Sequence, residues 1–523
     1  MSGNVVADIL AIGLFAVTIG GVLIGYPIAF TLAGFSLIFA GLGWMFGHFD
    51  PIILMSLPSR YFGLMTNEVL VAVPLFVFMG AVLERSKIAE ALLETMGQLF
   101  GSVRGGLAVA VVIVGALLAA STGVVGATVV TMGMLSLPAM MRAGYDPKLA
   151  TGVISASGTL GQIIPPSIVL IFVGDLLMGA NQLAAAKRGI AVEPVSVGDL
   201  FAGAFLPGLC IVGLYISYIL IMALLKPSAC PPLVMTAEEK ASLGRRFVRA
   251  LIPPLALIVA VLGSILSGFA TPTEAASIGA IGAMILAALN RSLSGRMVLE
   301  VMRNTAVISA MVFGIVLGVS VFSLVFRGLG GEHIVEQILT SAPGGAFGAI
   351  FAVMLVMFVL GFFMDTLEIV LVTVPVTAPT IIAMGIDPVW LGVMIGVNLQ
   401  TSFLTPPVGF ALFYMRGVAP PSISTGDIYR GVLPFVTMQI GALVILAIFP
   451  SLATWLPKVV FPDPVAIQTE RGPATASEQL FDQLMSGGKS GDGSSSGGSS
   501  ESPSSLDQLL NLPTFPGGGD GKK

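Results

Sequence analysis

Apolar runs long enough to cross a bilayer, interrupted by residues that break helices, constrain this chain more than any other feature. The clearest interruption is Ser155–Ser167, SASGTLGQIIPPS, deep inside an apolar run. An unbroken helix is the default there, because lipid offers no partner to a freed amide or carbonyl. Yet the stretch carries Gly158, Gly161 and the pair Pro165-Pro166. Proline removes a donor, clashes with the preceding turn and biases the residue before it away from helix. Glycine loosens the backbone and admits close approach. For one such break two readings stay open. It is a kink whose backbone groups neighbouring helices satisfy, or a site where a bound ion or substrate supplies the partners.

Composition settles the class. Of 523 residues, 55% are hydrophobic and 10% charged, and the mean hydropathy is +0.98. Soluble domains are about one-quarter charged, so an all-α polytopic membrane protein is expected. The apolar runs far exceed the roughly ten residues of a membrane barrel strand. Cys210, Cys230, His48 and His333 have no metal-ligand spacing, so no zinc, haem or iron–sulfur cofactor is expected. No nucleophile–base pair, HExxH-type motif or phosphate loop stands out, and no enzyme or nucleic-acid partner is expected. The first apolar run, Ile9–Ile24, lacks a basic start and flows into another, so it reads as a retained membrane helix.

In chain order, two apolar segments over 5–46 part at Gly25-Tyr26-Pro27. Residues 84–100 have charges on one side and suit an interfacial arm helix. Residues 105–141 are apolar with Ser121-Thr122-Gly123 at their centre, which predicts a re-entrant helical hairpin. The opening break makes 148–173 a broken helix, and the polar stretch 175–200 reads as an extramembrane insertion. The basic stretch 226–249 is expected to be a cytoplasmic loop, and Arg291, Arg296 and Arg303 form a second patch two spans later, on the same face. A second arm (327–340), a second hairpin (347–384) and a second broken helix (391–415) follow. The Ser/Gly/Pro-rich tail over 463–523 cannot bury a core and is expected to be disordered.

The two breaks are related. Pro138 and Pro379, Gly144 and Gly385, Asp146-Pro147 and Asp387-Pro388, and Pro165-Pro166 and Pro406-Pro407 all stand 241 residues apart. Upstream, Pro27 and Pro272 stand 245 apart, and Ile88 and Ile334 stand 246 apart. Residues 1–225 and 250–460 therefore read as two inverted repeats, each with a hairpin and a broken helix. Discontinuous helices at matching places of two repeats point to a binding site near the bilayer midplane. Unwound carbonyls with hydroxyls suit a hard monovalent cation, and helix N-termini facing the same cavity suit a carboxylate. The candidate side chains are Ser121, Thr122, Thr159, Asp365, Thr366, Asn398, Thr401 and Thr405. Each hydroxyl alone has a simpler use, a bond back to its own helix. Asp365 reads equally as a helix cap or a functional acid. Glu274, Asp146 and Asp387 are expected to be helix caps, and Asp175 and Glu68 to pair within the protein.

Three stretches carry a family resemblance: ATPTEAASIGA at Ala270–Ala280, GYDPKLATGVISASGTLGQIIPPS at Gly144–Ser167, and GIDPVWLGVMIGVNLQTSFLTPPVGFALF at Gly385–Phe413. With them the chain resembles, over roughly residues 5–460, the DctM-like large membrane subunit of tripartite ATP-independent periplasmic (TRAP) transporters. The tip STGVVGAT and the stretch EPVSVGDLFAGAFLPGL resemble the mannitol, chloroaromatic and 2-oxoacid subgroup. The resemblance implies an elevator-type, sodium-coupled importer of organic acids in the bacterial inner membrane, with a transport domain sliding on a scaffold. It implies two partners, a small four-helix membrane subunit and a periplasmic substrate-binding protein. By position it implies one sodium site joining Ser121, Thr122 and Gly123 to Gly158 and Gly161. A second would join Asp365 and Thr366 to Asn398, Thr401 and Thr405. Thr122-Gly123-Val124 departs from the family's commoner Ser-Gly-Ser tip. A stand-alone anion carrier of the wider ion-transporter superfamily is the alternative, with a channel or intramembrane enzyme behind it.

Overall fold

A computed structural model describes residues 5–122, 125–191, 193–232 and 237–462. Gly123 and the tail over 463–523 lie outside the described residues, as do the side chains at 89, 120–122, 237–243, 245 and 246. The chain runs through α1 (Val5–Ile24), α2 (Ile28–Met45), α3 (Leu57–Met65), α4 (Glu68–Arg85), α5 (Ile88–Gly101), α6 (Gly106–Thr122), α7 (Val125–Arg142), α8 (Pro147–Thr159), α9 (Ile168–Arg188) and α10 (Val197–Leu225). It continues through α11 (Ala237–Leu266), α12 (Pro272–Leu289), α13 (Gly295–Gly328), α14 (Gly331–Thr340), α15 (Gly345–Leu360), α16 (Thr366–Ala383), α17 (Pro388–Leu404), α18 (Phe410–Val418), α19 (Thr425–Ile448) and α20 (Ser451–Val460). Among the described residues there is no strand, and ten helices are long and apolar enough to cross a membrane. Large apolar side chains such as Ile12, Phe30, Ile281 and Val307 are exposed on these helices, as a lipid-facing surface requires.

Caps start the helices where the sequence places polar residues before apolar runs. Thr271 and Glu274 form a capping box on α12, as do Ser196 and Asp199 on α10 and Ser424 and Asp427 on α19. Asp146 accepts from the Lys148 N–H at 2.9 Å, and Asp387 from the Trp390 N–H at 2.9 Å. Glu274, Asp146 and Asp387 are therefore caps. Asp175 pairs within the protein with Asn67, whose Nδ2 donates to it at 2.8 Å, and the backbone carbonyl of Glu68 accepts from Thr273 Oγ1 at 2.6 Å.

The helices pack by close backbone approach. α4 lies on α12, α2 on α13, α8 on α19 and α9 on α16. Where α8 crosses α19, Gly152 faces the carbonyl of Gly431, and Gly431 faces that of Lys148. A methyl group at either position would overlap the opposite backbone, so only glycine permits this crossing.

The termini fix which ends share a face. The Gly105 N–H donates to Cys230 O at 3.0 Å and the Asp146 N–H to Ala229 O at 2.9 Å. Both feet of the α6–α7 pair thus stand beside the loop after α10. The start of α19 is on that face too, with Lys148 Nζ 3.9 Å from Asp427 Oδ1. The foot of α17 meets the far end of α19, where Trp390 Nε1 donates to Leu446 O at 2.8 Å.

Several boundaries differ from the sequence expectation. Residues 237–249 are the first turns of α11, because AEEKASLGRR is rich in helix formers and the helix continues through the charges. Most of the stretch 175–200 is likewise helix, in α9 and α10, and only the connection between them is irregular. The first arm begins at Ile88, since α4 runs through Arg85 and Lys87 turns the backbone at φ +57°.

Candidate functional site

The first break is narrower than SASGTLGQIIPPS suggested. α8 stays helical through Thr159, a 3₁₀ turn covers Leu160–Gln162, and α9 resumes at Ile168. The Pro165-Pro166 peptide is cis. Gly158 therefore lies in the helix, and its value is space: a methyl there would overlap Val129 of α7, whose Cα would stand 3.1 Å away. Gly161 in the 3₁₀ turn faces Ala119 O of α6, at 3.4 Å from a methyl placed on it. On the other side Gly115 of α6 makes room for Ser157. The break is thus seated in the α6–α7 hairpin by three small-residue contacts. Thr159 Oγ1 donates to Ala156 O at 2.8 Å, and Ser167 Oγ closes the break on Gln162 O at 3.0 Å.

The second break has the same construction. α17 runs through Leu404, residues 405–409 are irregular, and α18 resumes at Phe410; Pro406-Pro407 is also cis. Its seat is α15. Asn398 Nδ2 donates to Met354 O at 2.9 Å and Ser402 Oγ to Phe358 O at 2.5 Å, and Gly361 makes room for Ser402. Thr401 Oγ1 donates to Val397 O at 2.8 Å and Thr405 Oγ1 to Thr401 O at 2.7 Å, the own-helix bonds that a lone hydroxyl favours. Asp365 is the N-cap residue of α16, and its backbone N–H donates to Glu368 Oε2 at 3.1 Å. Thr366 is the first residue of that helix and is buried.

Gln162 joins the first break to the start of α16. Gln162, fully buried in the first break, donates from Nε2 to Thr366 Oγ1 at the start of α16, at 2.7 Å. Its Oε1 is buried without a hydrogen-bond partner. Thr366 is thereby brought to the first break as well as to its own hairpin. The crossing is mutual, for Tyr414 of α18 lies against Gly126 at the start of α7, 2.7 Å from a methyl placed there. Ser121 and Thr122 close α6, but their side chains, like Gly123, lie outside the described residues.

Sequence reasoning missed Gln162, Ser157 and Ser402. The signal was present: each is a polar residue within about one turn of a break in an apolar run.

The chemistry on offer at the two breaks is oxygen-rich, with the acids Asp365 and Glu368 at the start of α16. The hydroxyls of Thr159, Thr401 and Thr405 each spend their proton on a helix carbonyl and keep oxygen lone pairs free. No Lys or Arg occurs in 155–167 or 398–409. Positive potential comes instead from the helix N-termini at Thr366, Ile168 and Phe410.

Comparison with known proteins agrees with this architecture. The chain is similar in fold to the Alcanivorax borkumensis YdaH transporter, with a TM-score of 0.58 at 15% identity, covering 78% of this chain and 89% of that one. The Neisseria gonorrhoeae MtrF structure gives 0.52 at 14% identity, covering 77% and 84%. In sequence it is 30% identical over 456 residues to the ectoine TRAP transporter large permease protein TeaC of Halomonas elongata, covering 86% of this chain and 99% of that protein. It is 31% identical over 394 residues to the C4-dicarboxylate TRAP transporter large permease protein DctM of Rhodobacter capsulatus, covering 75% and 87%. The sialic acid TRAP transporter large permease protein SiaM of Vibrio cholerae is 30% identical, covering 82% and 94%. The model of the family "Tripartite ATP-independent periplasmic transporter, DctM component" matches residues 1–452. The chain therefore belongs to the DctM-component family of tripartite ATP-independent periplasmic transporters, the multi-pass large permeases of the bacterial inner membrane.

Proposed function

We propose that this large permease imports small organic acids, 2-oxoacids among them, in symport with sodium, taking substrate from a periplasmic binding protein. Membership in the family implies a small membrane subunit and a periplasmic binding protein as partners; we take the small subunit to have four helices. The observation that carries the proposal is the paired break. α7 (125–142) and α16 (366–383) differ by 241 at both ends, and α8 and α17 start 241 apart, at Pro147 and Pro388. The packing partners exchange in the same way: α4 with α12 answers α13 with α2, and α9 with α16 answers α18 with α7. The feet of the first hairpin share a face with the loop after α10, while the foot of α17 lies at the other end of α19. Two hairpins entering from opposite faces are what inverted repeats produce.

In this reading residues 1–225 and 250–460 are the repeats, and the breaks with their hairpins form the moving transport domain of an elevator. The first sodium would be held by the tip Ser121, Thr122 and Gly123 with carbonyls near Gly158 and Gly161, and Gln162 Oε1 adds a free oxygen to that half. The second would be held among Asp365, Thr366, Asn398, Thr401 and Thr405. A carboxylate is favoured because helix N-termini and bound cations supply the positive charge that the side chains lack. Relatives named for C4-dicarboxylate and sialic acid transport handle carboxylic acids. Reconstitution tests the tripartite reading against a stand-alone carrier. Proteoliposomes holding this chain and its small subunit should take up solute only when the loaded binding protein is added. Equal uptake by this chain alone would establish the stand-alone carrier.

A further inference from the structure

The second basic patch, Arg291, Arg296 and Arg303, has no part in the transport reading. In the structure it closes a cavity of about 520 Å³ lined by Arg85, Lys87, Arg291 and Arg296 with Glu300 and the hydroxyls of Ser292 and Ser294. Glu300 pairs with Arg85 at 2.8 Å and with Arg296 at 3.3 Å. Lys87 and Arg291 form no ion pair among the described residues, so the cavity keeps an excess of positive charge. Asn290 Nδ2 donates to Ser86 O at 2.9 Å and holds the two walls together.

The backbone is unusual at the same two residues. Lys87 (φ +57°) and Arg291 (φ +54°) are the two non-glycine residues with positive φ among the described residues. That conformation suits glycine and disfavours any residue with a side chain. Glycine is what stands at the matching places of the other half. α2 (28–45) and α12 (272–289) differ by 244 at both ends, which sets Gly47 (φ +73°) against Arg291. α4 and α13 end 243 apart, at Arg85 and Gly328, which sets Gly330 (φ +81°) against Lys87. Each half uses glycine at one of the two turns and a cation at the other, and the two cations face one cavity.

A second cavity decides what kind of anion fits. An apolar groove of about 360 Å³ runs between α4 and α12, lined by Phe78, Ile281, Met284, Ile285 and Leu293. Leu293 adjoins Ser292 and Ser294, so the groove leads to the basic cavity along the lipid-facing side of α12. The basic end lies on the face with the excess of Lys and Arg, the cytoplasmic one. An apolar groove ending in cations matches an acyl chain ending in a phosphodiester. Basic pockets between membrane helices on this side recognise acidic head groups. We propose that the junction of α4, α5, α12 and α13 binds an acidic glycerophospholipid of the inner leaflet, its phosphate between Lys87 and Arg291 and a chain along α12.

The test uses the full chain purified in neutral detergent, with thermal unfolding as readout. Phosphatidylglycerol should raise the transition temperature by several degrees, and phosphatidylcholine should not. Lys87→Gly/Arg291→Gly removes both charges and suits the backbone, so the double variant should unfold at or above the wild-type temperature without lipid. It should need roughly tenfold more phosphatidylglycerol, or more, for the same shift. Arg249→Gln, on the same face but outside the cavity, should keep the wild-type response. Equal shifts with both lipids, or an undiminished shift in the double variant, would overturn the proposal. A shift reproduced by inorganic phosphate alone would also overturn it, since the occupant would then be a soluble anion.

Discussion

Thr401 and Thr405 each give their hydroxyl proton to a carbonyl one turn back, at 2.8 and 2.7 Å. The oxygens keep lone pairs that a cation can use, and valine is nearly isosteric without them. Thr401→Val or Thr405→Val should therefore raise the sodium concentration for half-maximal uptake about fivefold, the weight of one interaction near 1 kcal/mol. Unchanged sodium dependence in both variants would remove them from the site. Gln162→Leu keeps the volume of the side chain but strips its bond to Thr366 and leaves that hydroxyl buried without its donor. We expect it to lower the maximal uptake rate while surface expression stays near wild type; wild-type kinetics would show the link to be dispensable. At this scale the prolines were legible in the sequence, because proline acts on its own backbone. Gln162 was not, because its significance comes from Thr366, 204 residues away. Gly158 was legible as special but for another reason than unwinding: it gives α7 room at Val129.

Among the elements, the α8–α19 crossing has the least tolerance. Gly152 and Gly431 each face a carbonyl across it, and backbone cannot yield as a flexible side chain can. Gly152→Ala or Gly431→Ala should cost about 1–3 kcal/mol from overpacking, read as a lower unfolding temperature of the purified chain. An unaltered temperature in both variants would mean that the helices separate freely. The ion pair between α9 and α14, Lys187–Glu336 at 2.9 Å, is exposed at both ends. Glu336→Gln should change stability by less than about 1 kcal/mol. Element existence was legible from apolar runs and caps: α2, α12, α16 and α17 start where the prolines and acids place them. Their ends were less so. α11 starts thirteen residues before the apolar segment expected at 250, since helix propensity continues through charged residues and the hydropathy boundary does not.

For the whole molecule, the bonds from Gly105 and Asp146 to the loop at Ala229–Cys230, the approach of Lys148 to Asp427 and the bond from Trp390 to Leu446 place the feet of α6–α8 and the foot of α17 at opposite ends of α19, as the proposed inverted repeats require. Cysteines placed singly at Arg142 and Ser341, in a background lacking Cys210 and Cys230, should label from opposite sides of intact cells and inverted vesicles. Labelling from one side for both would break the inverted-repeat account. The offset of 241 between prolines was readable in the sequence; the exchange of packing partners, α4 with α12 for α13 with α2, was not, because contact needs three dimensions. The most direct test of the account is the initial rate of uptake against external sodium. It needs proteoliposomes carrying this chain with its small subunit, and the binding protein loaded with a labelled carboxylate. A saturable rise with sodium, lost when the gradient is collapsed, is the predicted result. The same rate with sodium replaced by choline would contradict it.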